Sequence, residues 1–203
     1  MSALADRPYH HGDLRRALLT AATDLAQTGG SDGVALRQAA RRIGVSPSAA
    51  YRHFPSRDGL LAHVGSQARE ALAERMLAAT AEIRGSSGRS ARARFRATGR
   101  AYIEFALDEP GLFEVAFRRC PPDLYVPDDP SPYAVLSGAL DALGRAGLLA
   151  VPRADAEVPA WVAVHGAAIL LGDGMLPRDD REAIITSTLD MVSDGLLRAH
   201  PRA

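Results

Sequence analysis

Leu36-Arg-Gln-Ala-Ala-Arg-Arg-Ile43-Gly44-Val45-Ser46-Pro47-Ser-Ala-Ala-Tyr-Arg-His-Phe54 is the stretch on which the fold turns. Leu36, Ala39, Ala40 and Ile43 recur at helical spacing and give one apolar face. Gly44 follows, where a helix end takes a left-handed residue and glycine has no Cβ to clash. Ser46 is placed to cap a second helix, with Pro47 at its first position, where no needed backbone donor is lost. Ala50 and Phe54 face inward at i, i+4, and Val45 sits in the turn. The outward face carries Ser48, Ala49, Arg52 and His53, with Tyr51 at its flank. Hydroxyl, small, aromatic and cationic groups on one short helix suit a duplex groove. The spacing predicts a helix-turn-helix.

Upstream, Leu14, Leu18, Ala21, Ala22 and Leu25 form a stripe ending near Thr28-Gly29-Gly30. This first helix can pack across the pair and complete a three-helix head. Residues 1–8 read as an arm with Arg7 its cation, and Tyr9 and His10 as a polar helix start near DNA. His10 and His11 are adjacent and share no helix face, so no metal is expected there. Downstream, Ser56 caps a long strut predicted over 57–83, broken at Gly85-Ser86-Ser87-Gly88, a flexible joint by composition. Further helical patterns follow from Arg89 to Asp108, Gly111 to Arg119, Tyr133 to Ala146, Ala154 to Met175 and Arg178 to Leu197. A proline-rich loop spans 121–132. The Arg-rich start of the 89–108 helix (Arg92, Arg94, Arg96, Arg100) reads as a solvated face. No run alternates with period two, so the fold is expected to be all-α, with about nine helices. The domains are residues 1–56, the linking helix 57–83, and a helical regulatory and dimerisation body over 84–203.

The 203 residues suffice for a sizeable core, and the formal net charge is zero. Up to His63, however, eight Arg stand against five acids, so the head is basic and the rest acidic. Every basic residue is Arg. No apolar signal core or membrane-length run is evident, which places the protein in the cytoplasm by expectation. One cysteine, Cys120, excludes an internal disulfide.

Residues 9–64 resemble the tetracycline-repressor (TetR) family of bacterial regulators, through Arg-Arg-Ile-Gly-Val-Ser-Pro-Ser-Ala-Ala-Tyr-Arg-His-Phe and the following Ser-Arg-Asp-Gly-Leu-Leu. Tyr102-Ile-Glu-Phe-Ala-Leu-Asp-Glu-Pro-Gly-Leu-Phe113 and Trp161-Val-Ala-Val-His165-Gly166 look like the family's Trp-His-Gly class of C-terminal domain. The resemblance implies a homodimer on double-stranded operator DNA, released by a small effector, here expected to be largely apolar. It places Ser46, Pro47, Ser48, Ala49 and Arg52 near bases, and Tyr51, His53 and Arg57 on phosphates. Ala35 stands where the family often has a hydroxyl, so that phosphate contact is missing. Ala49 and Ala50 cannot hydrogen-bond bases, which leaves Arg52 as the main direct reader.

The candidate ligand-binding residues are Tyr102, Phe105, Phe113, Phe117, Trp161 and His165. Trp161 and His165 share a helix face at i, i+4, which fits either a ligand site or a packed pair in the core or dimer interface. The last two helices are expected to pair across a dimer through Ala163, Ala167, Leu170, Leu189, Val192 and Leu196. Two rivals remain: an all-α enzyme using Cys120 and His165, without any recognisable oxyanion motif, and a constitutive DNA-binding protein without effector. No cofactor is expected.

Overall fold

The computed structural model describes residues 11–197. Arg7, Tyr9 and His10 lie outside that span. Among the described residues there are nine α-helices and no β-strand: α1 His11–Gly33, α2 Leu36–Arg42, α3 Pro47–His53, α4 Arg57–Ala78, α5 Gly88–Asp108, α6 Pro110–Phe117, α7 Pro132–Arg145, α8 Arg153–Gly172 and α9 Arg181–Leu196. The all-α expectation holds.

The turn between α2 and α3 closes as its residues dictate. Gly44 adopts φ 73°, and its N–H donates to the Arg41 carbonyl at 3.3 Å. The Val45 N–H donates to the Ala40 carbonyl at 3.0 Å, so this pair of bonds ties off the last turn of α2 in a Schellman motif. Ser46 then caps α3 by accepting from the Ala49 N–H at 3.2 Å. Ser56 does the same for α4 from Gly59 at 3.0 Å. Ala35 starts α2 without any side-chain cap.

The strut α4 is shorter than its apolar pattern suggests. It ends at Ala78, not residue 83, because the chain tightens into i→i+3 bonds from Thr80 to Leu77 and from Ala81 to Ala78. The expected flexible joint is a pinned corner: Gly85 takes φ 85°, Ser87 caps α5, and Arg94 donates to the carbonyls of Ile83 and Gly85 at 2.6 and 2.7 Å. The proline-rich loop is likewise strapped to α4. Arg69 donates to Asp128 and to the Val126 carbonyl, each at 2.8 Å, and Ser66 donates to the Pro127 carbonyl.

One buried apolar cluster runs from the head into the body, with Leu18, Leu36, Phe54 and Leu60 in the same cluster as Phe113 and Val164. A second, smaller cluster gathers Phe95, Leu140 and Leu196 where α5, α7 and α9 meet. Head and body therefore share packing rather than meeting through a bare linker. By length and composition α8 could cross a membrane, but here it packs into the body and supplies Ala156, Ala160 and Ala168 to its buried clusters.

Gly44→Ala forces a Cβ into the left-handed region with open space around it, so only backbone strain is introduced. The expected loss is about 1 kcal/mol of stability, read as a lower denaturant midpoint with unchanged slope.

Candidate DNA interface and ligand crevice

On α3, Ser46, Pro47 and Ser48 are exposed, Ala49 is half-buried and Ala50 is buried. The Ser46 and Ser48 hydroxyls bond each other at 3.0 Å, so capping already engages both. Tyr51 is 42% exposed. Arg52 is exposed and has no ion-pair partner among the described residues, whereas His53 is half-buried. The end of the head is braced by Arg15. Its guanidinium lies 4.9 Å from the Phe54 ring centroid and donates to His63 Nε2 at 2.7 Å. Burial, reinforced by the Arg15 charge, pushes the His63 pKa down and keeps the ring neutral.

Periodicity does not separate Arg37 and Arg41 from ordinary solvated cations, but the ion-pair map does. Both are exposed on one face of α2 and have no acid partner among the described residues, unlike Arg42, which lies 3.9 Å from Asp24. The five arginines of α5 divide differently. Arg96 pairs with Asp190 at 2.6 Å and Arg100 with Glu182 at 2.8 Å, so these two tie α5 to α9.

Arg57 is half-exposed, and its guanidinium is engaged inside the head. It donates through Nε to the Val34 carbonyl at 2.8 Å and through Nη2 to the Ser31 carbonyl. The same corner is held from the other side by α6. Glu114 accepts from the Ser31 N–H at 2.7 Å and from the Ser31 hydroxyl at 2.6 Å. Gly30 just before it has φ 56° and ψ −153°, and a Cβ there would meet Glu114 Oε2 at 2.0 Å. At the start of α6, a Cβ on Gly111 would sit 2.1 Å from the Ala26 carbonyl oxygen. Glycine at both places lets α6 lie against the end of α1. Arg118 adds a 3.2 Å bond to Asp58 in the first turn of α4.

The opposite side of α6 enters an aromatic cluster. Tyr102 lies 5.6 Å from Phe113, 5.9 Å from Phe117 and 5.7 Å from Trp161, mostly edge to face. Its hydroxyl is 2.8 Å from His165 Nδ1. Burial pushes the Tyr102 pKa strongly up and the His165 pKa down, so both are neutral and the hydroxyl can donate to Nδ1. Beside this cluster runs an apolar crevice between α4, α5, α7, α8 and α9, lined among others by Met76, Thr98, Tyr102, Leu136, Trp161 and Leu189. Its free space is only about 20 Å³, room for a single water.

Of the expected ligand residues, Tyr102 and Trp161 line the crevice, and Phe113, Phe117 and His165 flank it through the rings. Phe105 is different: it is buried in the main core and does not line the crevice. The expected dimer set also needs correction. Ala167, Leu189 and Leu196 are buried inside the protomer, and Leu189 and Val192 line the crevice instead. These residues lie on inward faces of α8 and α9, which residue type alone does not reveal. Ala163 is half-buried and Leu170 is exposed. Val158 and Val162 on α8 and Met191 on α9 are 62%, 62% and 75% exposed, apolar residues left uncovered in the single chain.

Two family models match. Residues 18–64 match the one described as bacterial regulatory proteins, tetR family, and residues 95–192 match a tetracyclin repressor-like C-terminal domain. An uncharacterized helix-turn-helix-type transcriptional regulator, YobS of Bacillus subtilis, is 26% identical over 105 residues, about half the length of each chain. A solved protein of unknown function from Rhodococcus sp. RHA1 superposes with TM-score 0.76 at 29% identity, covering 95% of this chain and all of that one. A TetR-family transcriptional regulator from Pectobacterium atrosepticum gives TM-score 0.68 at 22% identity, over 97% of this chain and 100% of that one.

His63 and His165 both have folded pKa values below the ordinary 6.5. The unfolded chain therefore binds more protons in that range, and stability falls as pH drops from about 6.5 through the folded values. The thermal midpoint is expected to decline over this window, and less steeply in His63→Gln. A decline unchanged by substituting either histidine contradicts the assignment.

Proposed function

The chain belongs to the tetR family of bacterial regulatory proteins, and from that premise we propose that it is a ligand-responsive repressor that binds operator DNA as a homodimer. It is a helix-turn-helix transcription regulator working, on this reading, in the cytoplasm. The observation that carries the ligand response is the two-sided placement of α6. Phe113 and Phe117 belong to the aromatic cluster, while Glu114 grips the corner of the head at Ser31. A molecule that parts the cluster moves α6, and the head moves with it because both sit in one packed core.

Arg52 is the direct reader of bases, and Arg37 and Arg41 are phosphate contacts beside those of Tyr51 and His53. Arg57 serves the duplex indirectly, by fixing the corner between α1 and α2. The exposed apolar residues Val158, Val162, Ile169 and Met191 are the contact face of the homodimer. A second reading, a regulator without effector, is favoured by the small free space in the crevice. A screen of apolar compounds that leaves both thermal midpoint and Trp161 emission unchanged supports that alternative.

Two measurements test the main reading. Against a duplex selected from random sequence, Arg52→Ala is expected to lose about 1–3 kcal/mol while non-specific binding is little changed. Arg41→Ala weakens all duplexes and lowers the salt slope by about 1. Unchanged affinities and slopes remove the DNA-contact assignment. Glu114→Ala leaves the Ser31 N–H without its acceptor, at a cost of about 1 kcal/mol. Operator affinity should fall while the emission of Trp161 stays constant, and an operator affinity equal to the native one removes the role given to α6.

A further inference from the structure

We infer that the crevice takes a neutral, flat, largely apolar molecule carrying one hydrogen-bonding group, and that it rejects ions; this rests on reading the crevice as the effector site. Every lining residue is uncharged. Two of the α5 cations are committed elsewhere, Arg96 to Asp190 and Arg100 to Glu182, so neither is available to neutralise a bound carboxylate. Tyr102 and His165 are neutral and supply no counter-charge from the crevice wall. An ion without a partner in such a place loses hydration worth several kcal/mol.

The polar group is set by Thr98. Its side chain is 2% exposed and lines the crevice, yet its hydroxyl makes no hydrogen bond with any described residue. A hydroxyl of this kind, almost but not wholly closed off, gains a partner when a ligand supplies one.

The shape follows from Gly99, one residue on. A Cβ there would lie 2.7 Å from Leu189 Cδ2 and 3.3 Å from Val164 Cγ1, so the walls close over the glycine into a narrow slot. Ties across the slot are few compared with those along its sides. α5 and α9 are joined by the Arg96 and Arg100 ion pairs. α7 and α8 are joined by Tyr133 donating to Glu157 at 2.6 Å and by Arg153 to Asp141 at 2.7 Å. The Ala150 N–H, just before α8, donates to the Leu196 carbonyl of α9 at 2.9 Å, and the Tyr102–His165 bond crosses from one pair to the other. Opening the slot between the pairs breaks that bond and frees the Tyr102 hydroxyl beside Thr98. A flat ring can then slide against Trp161 while its polar group meets the two hydroxyls.

The test uses four probes of one shape: naphthalene, 2-naphthol, 2-naphthoate and 2-naphthylmethylammonium. Trp161 is the single tryptophan of the chain, so its emission reports binding in the crevice directly. The alcohol is expected to bind about fivefold or more tighter than the hydrocarbon, and both ions far more weakly than either. Thr98→Val should erase the alcohol's advantage while the unliganded thermal midpoint holds or rises, since a hydroxyl without a partner is removed. A naphthoate or ammonium that binds as tightly as the alcohol overturns the inference, as does an advantage that survives Thr98→Val. Ala160→Leu, which fills the slot, separates this from the broader reading. Ions that bind the native protein and fail to bind the filled one overturn only the ligand class. Binding indifferent to the filling, or absent for all four probes, overturns the effector site itself.

Discussion

The carboxylate of Glu114 on the Ser31 amide and hydroxyl is the contact on which the working arrangement of this molecule depends. It lies where α1 kinks at Gly30 in a conformation open only to glycine, and it closes on a residue whose carbonyl is held by Arg57. An amide N–H at a chain reversal has no helical partner, so the acceptor that satisfies it also fixes the angle between α1 and α2. That acceptor comes from the body. The orientation of the helix-turn-helix pair is thus tied to a side chain more than 80 residues away in sequence, carried on α6.

Around α6 the charged side chains act as fasteners more than as a surface. Arg69 straps the proline-rich loop to α4, and Arg94 pins the corner before α5. Arg96 and Arg100 lash α5 to α9, and Arg153 joins α7 to α8. Several of these pairs are largely exposed and contribute little stability individually. Their placement matters more, because it leaves a plane through the body that apolar contact, the Tyr102–His165 bond and the Ala150 N–H on the Leu196 carbonyl hold shut. The crevice lies in that plane. The same allocation leaves Arg37, Arg41 and Arg52 in the head without acid partners among the described residues, which is where a polyanion gains most from them.

Much of this was legible from local pattern. Gly44, Ser46 and Pro47 specify a turn and a cap whose partners are within five residues, so propensity and hydrogen bonding agree before any packing occurs. The nine helices likewise follow from apolar spacing, with their ends shifted by a few residues. The strut's early end at Ala78 was hidden, because Ala79 to Ile83 contains good helix formers and only the corner pinned by Arg94 stops it. The mixed fate of the α8 and α9 residues was hidden for a related reason. Leu189 and Met191 are both large and apolar, yet one is 4% exposed and the other 75%, since rotation about the helix axis is fixed by what packs against it.

By itself, then, the sequence determined the all-helical fold, the helix-turn-helix and the identity of the side chains on its outward face. Those features rest on contacts between residues close in the chain. The tertiary structure alone decided that Arg57 braces the head, that Leu189 and Val192 face a crevice, that Phe105 does not, and that Thr98 has no hydrogen-bond partner among the described residues. Each of these depends on two helices distant in sequence meeting at one rotation and one separation. Nothing in local periodicity sets either value; the close packing of α6 against α1 and of α5 against α8 and α9 does.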